Sequence, residues 1–230
     1  MQLKEIEKLA ASVMEKAVDA KEVAGVNLLV LKDKAPVLSL QAGYADLENK
    51  VLMADDTIMR LYSMSKPVTA ACMMILMQRG LVDLNDPVSK FIPAFANQTY
   101  VNGNALSLVQ RPMTVHDLLF MTSGLSYGSD SAAGKATSDL FAEMDARLST
   151  KDAMTTREFA DRVGKNPLEF EPSSNFMYGI SADILGALIE VISGMSFAEF
   201  LKKEITDPLE MPDTGFFVPA QKQSRLSKVY

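Results

Sequence analysis

The 230-residue sequence holds one histidine, His116, and one cysteine, Cys72. A hydrolytic zinc site draws on several His, Cys or carboxylate ligands, so a lone histidine argues against one, and no organic cofactor is implied either. A lone cysteine cannot close an internal disulfide, and nothing here demands an oxidising compartment. Cys72 sits in the apolar run Ala70-Ala71-Cys72-Met73-Met74-Ile75-Leu76-Met77 and reads as a small buried hydrophobe rather than a reactive thiol. No run reaches the ~18 apolar residues of a membrane span. The opening Met1-Gln2-Leu3-Lys4-Glu5-Ile6 is charged and amphipathic, without a signal-peptide core, which points to the cytoplasm. A clustered basic surface is also lacking. With a net charge of -6 and a pI near 4.9, the chain has no footprint for a nucleic acid.

What is present is ordinary globular material, 48% hydrophobic and 23% charged, long enough for one large domain or two small ones. Leu3, Ile6, Leu9, Ala10, Val13 and Ala17 recur at helical spacing and predict an amphipathic helix over residues 3–21. The runs Gly25–Leu31 and Val37–Tyr44, parted by the polar, Pro-containing 32–36, predict a β-hairpin. From about 57 to 212 the character is helical. Ser63 to Gly80 is apolar on nearly all sides through its middle, as in a buried helix. Thr114 is a candidate cap for a short helix to Leu119. The Ser-, Gly- and Ala-rich stretch 126–138 reads as a loop. Ser181 begins a helix stopped at Gly194, and Ser196 with Glu199 forms a capping box for another that ends before Pro208. Thr214–Val218 is expected to be a strand. There is no internal repeat.

Three stretches carry possible chemistry. Ser63-Met64-Ser65-Lys66 fits S-x-x-K. At a helix start the two side chains share a face, and the free N–H groups and dipole there suit a developing oxyanion. The apolar residues that follow are expected to desolvate Lys66, lowering its pKa toward an amine able to take the serine proton. The pair alone reads equally as a capping serine followed by a surface lysine. Gly124-Leu125-Ser126-Tyr127-Gly128 fits G-x-S-x-G, but no strand precedes it, no helix is read directly after it, and His116 lies on the wrong side for the triad order. His116 reads as a surface or capping residue. Protonating a leaving group needs a third titratable group facing the serine. Tyr178, on the loop before the Ser181 helix, is the candidate, although its spacing alone favours a packing tyrosine.

Arg60-Leu61-Tyr62-Ser63-Met64-Ser65-Lys66-Pro67-Val68-Thr69-Ala70 resembles the active-site helix of serine β-lactamase-related, penicillin-binding-protein-like proteins. The resemblance is closest to the subgroup of class C β-lactamases and family VIII carboxylesterases and transesterases. Thr114–Leu119 with Thr122-Ser123-Gly124-Leu125 is similar to the family's T-x-x-D-L-L and T-S-G-L. The block from Glu171-Pro172 to Gly186, and Pro208-Leu209-Glu210-Met211-Pro212-Asp213-Thr214, follow the family in order. The resemblance implies Ser63 as the acylated nucleophile, with Lys66 and Tyr178 sharing the acid and base work in an order it leaves open. It also implies an α+β, β-lactamase/transpeptidase-like fold, an antiparallel sheet flanked by helices with an inserted helical domain. On that scheme residues 1–56 are the N-terminal helix and hairpin of the α/β domain, 57–212 the mainly helical domain with the site, and 213–230 a return to the α/β domain.

Two departures shape the expected function. The class C pattern Y-x-N becomes Tyr178-Gly179-Ile180, and losing the asparagine removes a partner for a β-lactam's side-chain amide. The family's third motif, on a later strand, has no equivalent before Tyr230. The expectation is a serine hydrolase acting through an acyl-enzyme on small carboxylic esters or related acyl substrates. β-Lactamase or D-Ala-D-Ala carboxypeptidase activity is the alternative, and a non-catalytic fragment that binds a ligand or partner is the alternative of another class. A second polypeptide, a C-terminal segment, is expected to complete the sheet.

Overall fold

The computed structural model describes residues 3–230. The chain falls into two compact units. One runs through Tyr62 and resumes at Phe216–Tyr230, and the other is Ser63–Gly215. The sequence pattern placed these divisions at 56/57 and 212/213.

The first unit starts with helix α1, Leu3–Asp19. Its packed stripe is Ile6, Ala10, Met14 and Val18, four residues apart, and Met14 is the buried member. Leu9 and Val13, expected on that stripe, stand 58% and 59% exposed. The helix therefore packs on a stripe rotated from the one its Leu and Val residues suggest. Strands β1, Gly25–Lys32, and β2, Ala35–Asp46, pair antiparallel with Lys32 opposite Ala35. Asp33 and Lys34 make the two-residue turn with φ of 53° and 66°, the twist that suits a tight hairpin. Strand β3, Val51–Leu52, extends the sheet in the order β1-β2-β3.

The strand expected at Thr214–Val218 does not form. Residues 215–217 bend, and Pro219 leads into a 3-10 turn over Ala220–Arg225. Adjacent Phe216 and Phe217 give no two-residue alternation, and Gly215 and Pro219 bracket them. Further along this unit Leu226 bridges Ile58 in parallel. Ser227 N–H donates to the Ile58 carbonyl at 2.9 Å and Lys228 N–H to that of Ala45 at 2.9 Å.

The second unit is built around helix α6, Ser181–Ser193. Ile184, Leu188 and Ile189 are fully buried, and each such side chain contributes roughly 1.5–3 kcal/mol. Helix α2, Ser65–Gln78, packs on α6 through a face that includes Cys72, Met73 and Leu76. Its opposite side carries the exposed Met74, so burial is one-sided within this unit. Burial also pushes the Cys72 thiol up to about 11, in keeping with an inert packing residue. Gly194 ends α6 at φ 71°, and Ser196 and Glu199 cap α7, Phe197–Leu201, as expected. A π-helical turn, Lys202–Thr206, follows.

Strands β4, Thr99–Asn102, and β5, Ala105–Leu108, form a hairpin about Gly103-Asn104 in a region read as helical. Its signal is Gly103-Asn104, a turn pair between two short apolar runs. Helix α3, Val115–Leu119, has Thr114 as its N-cap residue. The stretch 126–138 is not all loop, because helix α4 covers Ala132–Arg147. Ser131 caps it, accepting from Gly134 N–H at 2.9 Å, and the alanines that follow are strong helix formers. Helix α5, Thr156–Val163, is capped by Thr155. Among the described residues no single helix is long and apolar enough to cross a membrane.

Candidate active site

Ser63 lies in a 3-10 turn, Tyr62–Met64, that runs into α2. Tyr62 holds φ 46°, a left-handed conformation that costs a non-glycine residue about 1–3 kcal/mol and clusters at functional sites. Ser63 is exposed and Lys66 half-buried one turn later. The N-cap residue Met64 offers no side-chain cap, so this helix end keeps its positive character toward Ser63. Pro67 falls in the first turn of α2, where its missing N–H costs little.

Lys66 Nζ donates to Ser63 Oγ at 3.1 Å and to the Tyr127 hydroxyl at 2.9 Å. The ammonium also lies 4.6 Å from the Tyr178 ring centroid and 5.6 Å from that of Tyr127, within the range of cation–π attraction. The two rings stand 6.1 Å apart at 48°. The three side chains proposed from the sequence are thus together, all within the second unit. Tyr127 joins them as a fourth member that the sequence pattern does not single out. It is the neighbour of Ser126 in the G-x-S-x-G stretch, a pattern that points to its serine.

Backbone contacts bring the tyrosines together. The segment 121–124 runs beside 169–177, with Met177 N–H donating to Met121 carbonyl at 2.9 Å, Ser173 N–H to Thr122 at 2.8 Å and Glu169 N–H to Gly124 at 2.9 Å. The Ser123 and Ser181 hydroxyls, both buried, bond at 2.8 Å. A Cβ on Gly179 would come 2.0 Å from the Leu125 carbonyl oxygen, so only glycine permits this approach of the two loops. From below, Asp117 anchors the first loop. Its fully buried carboxylate accepts from Arg111 at 2.7 and 2.9 Å, from Thr114 N–H at 2.9 Å and from the Thr122 hydroxyl at 3.1 Å. Desolvation works to raise the Asp117 pKa, but these donors hold it below the usual carboxylate range.

Ser126 is bonded away from Lys66. Its hydroxyl is buried and donates to Glu169 Oε1 at 3.0 Å, which also accepts from Ser129 at 2.7 Å. His116 is elsewhere on α3, its ring stacked on Phe120 at 4.3 Å. Neither takes part in the constellation. Among the described residues no group of three His, Cys, Asp or Glu could hold a metal ion.

Electrostatics reverse one expectation. Desolvation does pull the Lys66 ammonium down, as read from the sequence, but hydrogen bonding to Tyr127 and Tyr178 and their charges outweigh it. The net shift is upward, and Lys66 is a held cation rather than a neutral amine. Hydrogen bonds from Ser63 and then from Lys66, with the Lys66 charge, lower the Tyr178 phenol against desolvation. Lys66 thus donates to Ser63 Oγ, and the groups that lower the Tyr178 phenol are Ser63 first and Lys66 second.

The family model described as Beta-lactamase matches residues 10–230. The chain is 30% identical over 210 residues to "Esterase EstB" of Burkholderia gladioli, covering 89% of this chain and 50% of that protein. Among solved structures it superposes on "EstCE1, a hydrolase with promiscuous acyltransferase activity" with a TM-score of 0.80 and 28% identity, over 97% of this chain and 56% of that one. An octameric penicillin-binding protein homologue from Pyrococcus abyssi gives 0.69 and 25%, over 99% and 47%. The chain spans about half the length of the curated relatives it matches.

Proposed function

The chain belongs to the beta-lactamase family, and we propose that it carries the nucleophile and proton-transfer groups of a serine hydrolase acting on carboxylic esters through an acyl-enzyme. One observation carries this reading. A single ammonium, Lys66, bonds the exposed Ser63 hydroxyl while lying over the ring of a tyrosine whose phenol is made more acidic. The nucleophile, its base and the cation that orients both are within reach of one another.

In the proposed reaction the Tyr178 oxygen, ionised beside Lys66, takes the proton from Ser63 as Oγ bonds to the ester carbonyl carbon. The carbonyl becomes a tetrahedral oxyanion near the positive end of α2. Its collapse breaks the bond to the alkoxy oxygen, which receives the proton from Tyr178 and leaves as an alcohol. Water then adds to the acyl-Ser63 carbonyl, giving its proton to Tyr178. Collapse returns that proton to Ser63 and releases the acid. Lys66 stays protonated throughout.

Esters are favoured over β-lactams by the residue two after Tyr178. Where class C relatives are expected to carry asparagine, this chain has Ile180, which is fully buried and offers no amide to a substrate. A likeness to "Esterase EstB" and EstCE1 supports the same choice. A partner segment is proposed as well. Strand β1 is an edge of the three-stranded sheet and carries the exposed Leu29 and Leu31, a surface that a further strand would cover.

The test is intact-mass detection of a fluorophosphonate adduct. One adduct is expected on the native protein, none after Ser63→Ala, and normal labelling after Ser126→Ala. Labelling that survives Ser63→Ala would overturn the assignment. Turnover of p-nitrophenyl esters is expected to exceed that of a chromogenic cephalosporin, and the reverse ranking would favour the β-lactamase alternative.

A further inference from the structure

We propose that Tyr127 is a positioning residue of this site, its phenol oxygen pinning the Lys66 ammonium where it can reach Ser63. The inference rests on the functional reading above and deepens it. A lysine ammonium on a four-carbon stem has about 2 kcal/mol of rotamer entropy to lose when fixed, and an exposed serine at 3.1 Å is a weak tether. The contacts of Lys66 here are to hydroxyls and rings, and the shorter of its two hydrogen bonds is to Tyr127 at 2.9 Å.

Tyr127 is itself held on both sides. Ser126 before it is buried and bonded to Glu169. Gly128 after it takes φ 148°, and a Cβ there would sit 2.5 Å from the Ser138 hydroxyl. Leu125 N–H donates to Ser123 Oγ at 3.2 Å, and the Leu125 carbonyl meets Gly179. The glycines of the G-x-S-x-G stretch thus serve to aim its tyrosine. The half-exposed Tyr127 ring puts a hydroxyl acceptor 2.9 Å from the Lys66 ammonium, which therefore has a second anchor besides Ser63 at 3.1 Å.

The groups that act on Lys66 are Ser63 on its own turn, Tyr127, Tyr178 and, from α6, Asp183, whose carboxyl feels the Lys66 charge. Of these, Tyr127 supplies the largest contribution favouring the ammonium, and burial alone works the other way. Removing the Tyr127 hydroxyl while keeping its ring should therefore let Lys66 deprotonate at lower pH and wander from Ser63.

The experiment is Tyr127→Phe in the intact protein, with initial rates on an alkyl ester followed by pH-stat from about pH 6 to 11. The expected result is a drop of about tenfold or more in kcat/KM, the scale of a lost hydrogen bond to a charged group. The alkaline limb of the profile should move to lower pH, with the thermal midpoint nearly unchanged. Adding Tyr127→Phe to Lys66→Ala should cost nothing further, since Tyr127 acts through Lys66. An unmoved alkaline limb, or a full additional loss in the Lys66→Ala background, would overturn the positioning role in an enzyme that Ser63→Ala still silences. Hydrolysis that survives Ser63→Ala would instead bring down the functional reading, and this assignment with it.

Discussion

The contact between Gly179 and Leu125 allows a sharp test of how the site is assembled. Gly179→Ala adds one methyl carbon, which would stand 2.0 Å from the Leu125 carbonyl oxygen, 2.9 Å from its carbon and 3.1 Å from the Ser126 Cα. Ordinary contact begins near 3.4 Å, so about 1.4 Å of retreat is required (3.4 less 2.0). All three clashing atoms are backbone, and no side chain can rotate away to relieve them. The retreat must separate the segment carrying Tyr127 from the one carrying Tyr178. Misplacement by about 1 Å in a reacting constellation costs roughly a hundredfold, while overpacking costs about 1–3 kcal/mol in stability. The expected outcome is an approximately hundredfold loss of kcat on a p-nitrophenyl ester in a protein that still melts cooperatively. Gly194→Ala is the control. Its Cβ meets nothing within 4 Å, but its φ of 71° strains an alanine, so it should lower stability while leaving kcat near native. Gly179→Ala with kcat within threefold of native would refute the claim that this approach fixes the tyrosine pair.

Three further outcomes are expected. Lys66→Ala and Tyr178→Phe should each lower kcat at least about a hundredfold, and the double variant should lose far less than the product, because the two serve one proton transfer; independent, multiplying losses would count against that unit. Asp117→Ala should cost about 3 kcal/mol in a denaturant titration, the low end for a broken buried pair, since Arg111 is 40% exposed. Because the folded pKa of Asp117 lies below its unfolded value of 3.8, its contribution is complete above that value and fades as pH falls through the folded one; Asp117→Asn should flatten stability over that acid window, and an unchanged acid slope would show that the carboxylate's charge is not what its donors stabilise. If the β1 edge takes up a further strand, Leu29→Lys should weaken association with the partner segment in sedimentation without unfolding the first unit; association indifferent to Leu29→Lys would place the partner elsewhere.

Much of the fold was legible because its signals are short. The β1–β2 hairpin, the Thr114 cap, the Gly194 stop and the Ser196–Glu199 box each lie within a few residues, and each forms as read. Errors arose where composition stood in for mechanism. Ser, Gly and Ala suggested a loop over 126–138, yet the position of Ser131 before a run of alanines is what starts α4. The Gly103-Asn104 turn lies inside a stretch of otherwise helical character, which hides it. Apolar content at 214–218 suggests a strand, but without alternation the segment forms none.

The site divides along the same line of sequence distance. Ser63 and Lys66 are three residues apart, so helix geometry puts them on one face. Tyr127 meets Lys66 across 61 residues, through a loop whose course depends on glycine approaches that no spacing rule contains. The direction of the Lys66 shift could not be obtained from its neighbours either. Desolvation does lower the Lys66 pKa, but the tyrosines that outweigh this are brought in by tertiary contacts. The consequence is chemical as well as structural. With Lys66 read from its helix alone, the lysine is the base. With both tyrosines in place it is held as a cation, and the reaction proposed above takes Tyr178 as the base. The Gly124–Gly128 stretch, which looked at first like a different enzyme's motif, contributes Tyr127 to that environment.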